Sequence, residues 1–247
     1  MKTSIILPTF NERDNIGPLI DEIVNVIGQN EFEVIVVDDN SPDKTWQVVE
    51  DKAKKDNRIR LLRRLDKKGL TSALNDGITM SLGEVVVWMD SDFQMPPSKI
   101  PELLEALENG YDVAVGSRFI KGGSDHRYDK ALHHRKIVDI HRILSRLICW
   151  VTSIIFLTNH KDWTSGFIAI KRNIFDHVEL QGNYGEYFMY LLHYVIKSGY
   201  KVIEIPYVLA PRHKGDSKTT KSYNSLIIKG VKYFSDVVLI AVRKKYK

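Results

Sequence analysis

The chain has 247 residues, 43% hydrophobic and 27% charged, which suits one large α/β domain, or a domain with an appendage, and excludes a disordered or fibrous protein. Its single cysteine, Cys149, excludes a disulfide framework and a cysteine zinc site and fits a reducing compartment. The formal charge of +5 is unevenly spread. Arg63, Arg64, Lys67 and Lys68 form one basic cluster, and Arg243, Lys244, Lys245 and Lys247 another. Each cluster reads equally as a seat for an anionic partner or as a solvated surface.

Met1 and Lys2 lead straight into an apolar run that ends at Pro8, too short for a signal-peptide core, so residence in the cytosol is expected. From there short apolar runs alternate with amphipathic stretches, the pattern of βα units around a parallel sheet. Strands are expected at Thr3–Leu7, Glu33–Val37, Ile59–Leu62, Glu84–Met89 and Asp112–Gly116, with Ile59–Leu62 at an edge and Glu84–Met89 central. Helices are expected at Asn15–Ile27, Thr45–Asp56, Leu70–Ser81 and Ile100–Asn109. The outcome is a three-layer α/β sandwich.

A polar, basic stretch from Lys121 to Arg135 reads as a loop. Beyond it, Ile137–Leu157 and Tyr223–Val242 read as amphipathic helices. Arg142 and Arg146 interrupt the first, leaving it short of the ~20 apolar residues a membrane-spanning helix needs. Such helices either pack on the domain or with a second copy, or lie on a membrane surface. The division expected is a catalytic domain over residues 1–220 and an amphipathic C-terminal helix over 221–247.

In open α/β sheets, ligands bind beyond the carboxyl ends of the strands. Four such ends are polar here: Pro8–Glu12, Asp38–Ser41, Asp90–Gln94 and Gly116–Arg118. Asp90 and Asp92, one residue apart after Val85–Met89, are either a turn cap beside an exposed carboxylate or a pair held by a cation. Oxygen ligands of this type suit Mg²⁺ or Mn²⁺ shared with substrate phosphates, and Gln94 is a further candidate contact. Asp38 and Asp39 can form an Asx turn with Ser41 and Pro42, with Asp43 as a helix cap. They can equally accept hydrogen bonds from a nucleoside.

In order, Leu7-Pro8-Thr9-Phe10-Asn11-Glu12, Val37-Asp38-Asp39-Asn40-Ser41-Pro42-Asp43, Met89-Asp90-Ser91-Asp92 and Gly116-Ser117-Arg118-Phe119 resemble the successive motifs of the inverting family 2 glycosyltransferases with a GT-A fold. Asp162-Trp163-Thr164-Ser165-Gly166-Phe167, Glu204-Ile205-Pro206 and Arg212-His213-Lys214-Gly215-Asp216-Ser217-Lys218 narrow the likeness to polyprenyl-phosphate sugar transferases of the dolichyl-phosphate mannose synthase type. The resemblance runs from Ile5 to about Lys218.

It implies that Pro8, Phe10, Glu12, Val37 and Asp39 line the nucleoside pocket. Asp90, Ser91, Asp92 and Gln94 would surround the metal and diphosphate. Arg118, Arg212 and Lys218 would face phosphates, with Arg135 on the acceptor side. The implied reaction moves a hexose, mannose from GDP-mannose being favoured, onto a polyprenyl or dolichyl phosphate, with inversion and catalysis by Asp92, Arg118 and Arg135. An ionised phosphate nucleophile needs positioning and charge stabilisation rather than a strong base. The implied location is the cytosolic face of a membrane, reached directly or through a membrane-anchoring partner.

Several positions depart from the pattern: Phe10 stands for a usual Tyr, Phe188 and Tyr190 for Gln and Glu, Asp139 for Ser, and Ser91 for a small apolar residue. These leave another donor, such as UDP-glucose, or a saccharide acceptor open. His133 and His134 are adjacent and diverge on a helix, so they are read as surface residues. A non-catalytic nucleotide- or nucleic-acid-binding role has little support. Trp46, Trp88, Trp150 and Trp163 are scattered rather than interleaved with a basic stripe, so no nucleic-acid partner is expected.

Overall fold

The structure is a computed structural model that describes residues 1–28, 30–127, 135–183, 185–214 and 223–242, with side chains in 135–141 and 223–231 left aside. A seven-stranded sheet runs through it in the order β3-β2-β1-β4-β7-β5-β8. The strands are β1 (Thr3–Thr9), β2 (Phe32–Asp38), β3 (Ile59–Arg63), β4 (Val85–Trp88), β5 (Val113–Ser117), β7 (Ile168–Lys171) and β8 (Val202–Pro206). As expected, β3 lies at an edge and β4 at the centre, and the pairings are parallel except where β7 runs antiparallel between β4 and β5.

The central strands are apolar on both faces because helices cover both. Ile5, Leu7, Val34, Val36, Val85 and Val87 point into one core with α1 (Arg13–Ile27), α2 (Thr45–Ala53) and α4 (Ile100–Glu108). Ile6, Ile35, Val37, Val86 and Trp88 point the other way, towards α3 (Leu70–Met80) and α6 (Glu186–Lys197). That strict alternation locks the register, since a one-residue slip would exchange the two sets. Each fully buried Ile, Leu or Val is worth about 1.5–3 kcal/mol. Gly77 lets α3 close on β1, because a Cβ there would lie 2.6 Å from Ile6 Cγ2.

Two long helices, α5 (Arg135–Ile155) and α7 (Tyr223–Ala241), pack on each other at the margin of the second core, which takes in Cys149, Phe156, Val237 and Ile240. Burial pushes the Cys149 thiol up to about 12, so it is an inert packing group. Within the stretch expected to be a loop, Ser124–Asp125 forms β6 and pairs parallel with β9 (Val208–Leu209), while Arg135 already begins α5. Residues 128–134, with His133 and His134, lie outside the described residues. Among those described, no helix is long and apolar enough to cross a membrane.

Candidate functional site

The parallel strands β1, β2 and β4 end side by side, and each is followed within a few residues by a non-glycine residue in the left-handed region. These are Asn11 (φ 56°), Asn40 (φ 52°) and Phe93 (φ 66°). Asn tolerates that conformation; for a bulky residue such as Phe it is strained and is kept only where the surroundings impose it. Phe93 follows Asp92 directly and rests against the His213 ring, centroids 5.2 Å apart. The strain therefore sits where the paired carboxylates are aimed.

Their loop is fastened from several sides. Ser91 Oγ donates to Pro8 O at 3.0 Å, tying it to β1, and Gln94 N donates to Asp92 Oδ1 at 3.1 Å. Gln94 Nε2 donates to Ala210 O and Ala210 N to Gln94 O, at 3.2 and 2.8 Å, so Gln94 joins this loop to the 210–214 segment. Asp90 keeps part of its surface open to solvent while its carboxyl is crowded by the surrounding loop, and Asp92 is closed in.

Surrounding protein that strips water from the Asp90 charge, together with Asp92 and Glu12, pushes its carboxyl up to about 7. Burial likewise raises Asp92, against the pull of Arg212. Among the described residues no group of three acidic, His or Cys side chains forms a ready cation cage. Two crowded carboxylates with room for outside oxygens match how Mg²⁺ is held, by one or two carboxylates plus phosphates and water.

Arg212 reaches this centre. Its Nη1 donates to Asp92 Oδ2 at 2.9 Å and its Nη2 to Glu12 Oε1. Glu12, at the start of α1, is buried, and its backbone N–H donates to Thr45 Oγ1 at 2.9 Å. Lys218 lies outside the described residues, as does the side chain of Arg135.

On the β2 side the two aspartates have different partners. Asp38 makes the Asx turn, accepting Ser41 N at 2.8 Å and Thr9 Oγ1 at 3.0 Å. Asp43 accepts Thr45 N at 2.9 Å, ahead of α2. Asp39 instead accepts Arg64 Nε at 2.7 Å and Gly69 N at 2.8 Å, which fixes the orientation of its carboxylate. Phe10, just past β1, is partly exposed, with Lys68 Nζ 5.9 Å from its ring centroid. Val37 is fully buried beneath, so its side chain offers the crevice no surface.

The basic cluster is split: Arg63, Lys67 and Lys68 are exposed, whereas Arg64 is drawn inward. Arg64 is buried against Asp39 and Asp76, Arg63 stacks on Trp46 at 3.6 Å, and Lys67 pairs with Asp76 at 3.3 Å. Sequence reasoning did not single out Arg64 as a site residue, because nothing local separates it from Arg63.

Arg118, just past β5, is turned inward. Its Nε and Nη2 donate to the two oxygens of Asp162 at 2.8 and 2.7 Å, and Nη2 also donates to Thr164 Oγ1 at 2.8 Å. Burial disfavours both charges, yet the pairing wins: Asp162 stays below the ordinary carboxylate value and Arg118 above its own. Glu204 Oε1 accepts Ser117 Oγ at 2.6 Å and Asp162 N at 3.0 Å, extending the ladder to β8. Phe188 and Tyr190, two of the departures from the family pattern, are buried in the core on α6.

The Glycosyl transferase family 2 model matches residues 4–179. A dolichol-phosphate mannosyltransferase of Pyrococcus furiosus is 38% identical over 88% of this chain, which spans 59% of that protein's length. A polyprenol monophosphomannose synthase of Mycolicibacterium smegmatis is 28% identical, with 90% of this chain and 82% of that one covered. Among solved structures, glucosyl-3-phosphoglycerate synthase of Mycobacterium tuberculosis with Mn²⁺, UDP-glucose and phosphoglyceric acid superposes with a TM-score of 0.71 at 17% identity, covering 97% of this chain and 79% of that one. At that identity the likeness shows the fold, a GT-A-type sandwich.

Proposed function

Because the chain belongs to glycosyl transferase family 2, we propose that it transfers mannose from GDP-mannose to a polyprenyl phosphate, with Mg²⁺ or Mn²⁺ held by Asp90 and Asp92. The observation that carries this reading is the 38% identity, over 88% of the chain, to a relative named dolichol-phosphate mannosyltransferase. The crowded carboxylates at the end of β4 support it, since they answer to a cation shared with a diphosphate.

Pro8, Phe10 and Asp39 take the nucleoside; Asp39, pre-aimed by Arg64 and Gly69, is its acceptor. A cation held by Asp90 and Asp92 would supply stabilisation of the charge that builds on the departing diphosphate. An oxygen of the acceptor phosphate forms its bond to the anomeric carbon from the opposite side as the bond to the diphosphate oxygen breaks. The electron pair leaves with the nucleoside diphosphate. The phosphate nucleophile is already ionised, so no proton needs to be moved, and positioning dominates.

In this reading Arg212 and Lys218 draw the two anions together, with Arg135 on the acceptor side. Arg118, neutralised by Asp162, holds the end of β5 in place.

For a lipid acceptor, α5 supplies a fitting surface. Ile143, Leu147, Trp150 and Ile154 are exposed at helical spacing along one side, with Leu157 exposed just past the helix end, and Phe234, Val238 and Val242 are exposed on and just past α7. Arg142 and Arg146 are exposed beside the first stripe, as suits an anionic membrane face. The basic cluster at 243–247 lies outside the described residues.

The test is to incubate the protein with Mn²⁺ and a panel of nucleotide sugars, with and without polyprenyl phosphate, and to identify the product by mass. A mannosyl lipid phosphate formed only with GDP-mannose is the expected result. Transfer only to a saccharide, or only from another donor, overturns the reading. Flotation with anionic liposomes tests the surface. Failure of the intact chain to bind removes it from the proposal.

A further inference from the structure

Residues 210–214 have no regular structure, yet they are clamped onto the carboxylate loop. The paired hydrogen bonds of Ala210 and Gln94 close one end, and His213 N donates to Asp92 O at 3.1 Å. Arg212 spans Asp92 and Glu12 and turns its Nε onto Lys214 O at 2.9 Å. Behind it lies Asn15, 3% exposed on α1. Asn15 Nδ2 donates to Glu12 Oε2 at 2.8 Å and to Lys214 O at 3.1 Å, touching both ends of the same arrangement. Its Oδ1 is buried with no hydrogen-bond partner among the described residues. An unsatisfied buried amide oxygen is tolerated where the other end of the group is indispensable.

We propose that Arg212 is the resident counter-cation of the donor site, standing at Asp92 before the donor arrives, and that Asn15 is a positioning residue that holds it there through Glu12. This rests on the metal and diphosphate reading above. The guanidinium and a divalent cation would compete for the Asp92 carboxylate and repel each other, so a cation arriving alone would have to expel Arg212. A cation arriving with a diphosphate brings the guanidinium a new anionic partner, within reach of the same side chain. Metal and nucleoside diphosphate therefore bind with positive coupling, each improving the other's affinity by the same factor. The expulsion also frees the 210–214 segment from the carboxylate loop, so the clamp opens only to a complete donor.

The experiment measures Mn²⁺ affinity by electron paramagnetic resonance, with and without GDP, on the folded chain and its variants. The wild type should bind Mn²⁺ weakly alone and strongly with GDP. Arg212→Gln should bind Mn²⁺ alone at least about tenfold tighter, because one charge a few ångströms from the site is removed, and should lose most of the GDP enhancement. Arg212→Lys keeps the charge and should keep weak binding. Asn15→Ala should move Mn²⁺ alone in the same direction as Arg212→Gln, by less.

Tightening is the informative sign, since a merely loosened site would bind the ion more weakly. Should Arg212→Gln fail to fold, as judged by circular dichroism, Asn15→Ala decides the matter by the same sign. Unchanged or weaker Mn²⁺ binding in the folded variants overturns the proposal. Failure of the wild type to bind Mn²⁺ even with GDP overturns the metal reading itself, a separate result.

Discussion

Arg118 and Asp162, 44 residues apart in the chain, meet in a two-pronged ion pair closed off from solvent, with Nε and Nη2 on the two carboxylate oxygens at 2.8 and 2.7 Å. Breaking one side strands the other charge in the interior. Asp162→Ala should cost about 3–5 kcal/mol, read from urea unfolding, and Arg118→Met combined with it should cost less than the sum of the single changes. The sign with pH follows from Asp162, whose folded pKa lies below the ordinary 3.8. Its contribution is complete above the unfolded value and is lost as pH falls through the folded one. An Asp162→Ala cost that does not shrink in acid would contradict this.

Asp92→Asn should abolish transfer while leaving the circular dichroism spectrum and melting curve close to those of the parent. Removing metal with a chelator should have the same effect on the parent, and Mn²⁺ or Mg²⁺ should restore it. Near-normal turnover in chelator would remove the cation from Asp90 and Asp92.

Asp90 gives an opposite pH dependence. Its carboxyl is raised from 3.8 to about 7, so between those values the folded, metal-free protein binds more protons than the unfolded chain. Stability then falls as pH rises through this window. Asp90→Asn should flatten that fall and raise the melting temperature of the metal-free protein at pH 8. In the parent, added Mn²⁺ should stabilise most above pH 7 and progressively less below it, as protons compete for the site. A scanning calorimetry series over pH checks all three.

Phe93 combines a left-handed backbone with a ring contact to His213. Phe93→Ala gives up the contact and keeps the strain, whereas Phe93→Gly gives up the contact and relieves it. The glycine variant should be the more stable of the two by about 1 kcal/mol, measured by chemical denaturation. Equal stabilities would mean that the turn imposes no strain.

The strand ends were legible in the sequence because their physics is local. Val34–Val37 and Val85–Met89 are apolar on both faces, which marks buried parallel strands, and the polar residues that follow them lie where the crevice forms. Asp90, Asp92 and Asp39 were found in this way. The stretch Glu186–Lys197 carried a signal as well: apolar nearly all round, it is a buried helix. The four-residue β7 carried none of its own, because its antiparallel place between β4 and β5 rests on pairing with strands more than fifty residues upstream.

What the sequence determined by itself is the three-layer order of the first half and which acidic residues stand at the carboxyl ends of β2 and β4, since period and burial are written into neighbouring residues. The tertiary structure decided the partner of each charge. Arg64 is buried against Asp39 while Arg63 stacks outside on Trp46. Arg118 turns inward to Asp162, and Arg212 comes back across 120 residues to Asp92. Such choices depend on which distant groups the packed sheet brings within reach. A charge buried without a partner costs several kcal/mol, so the fold, rather than the local sequence, settles where each one goes.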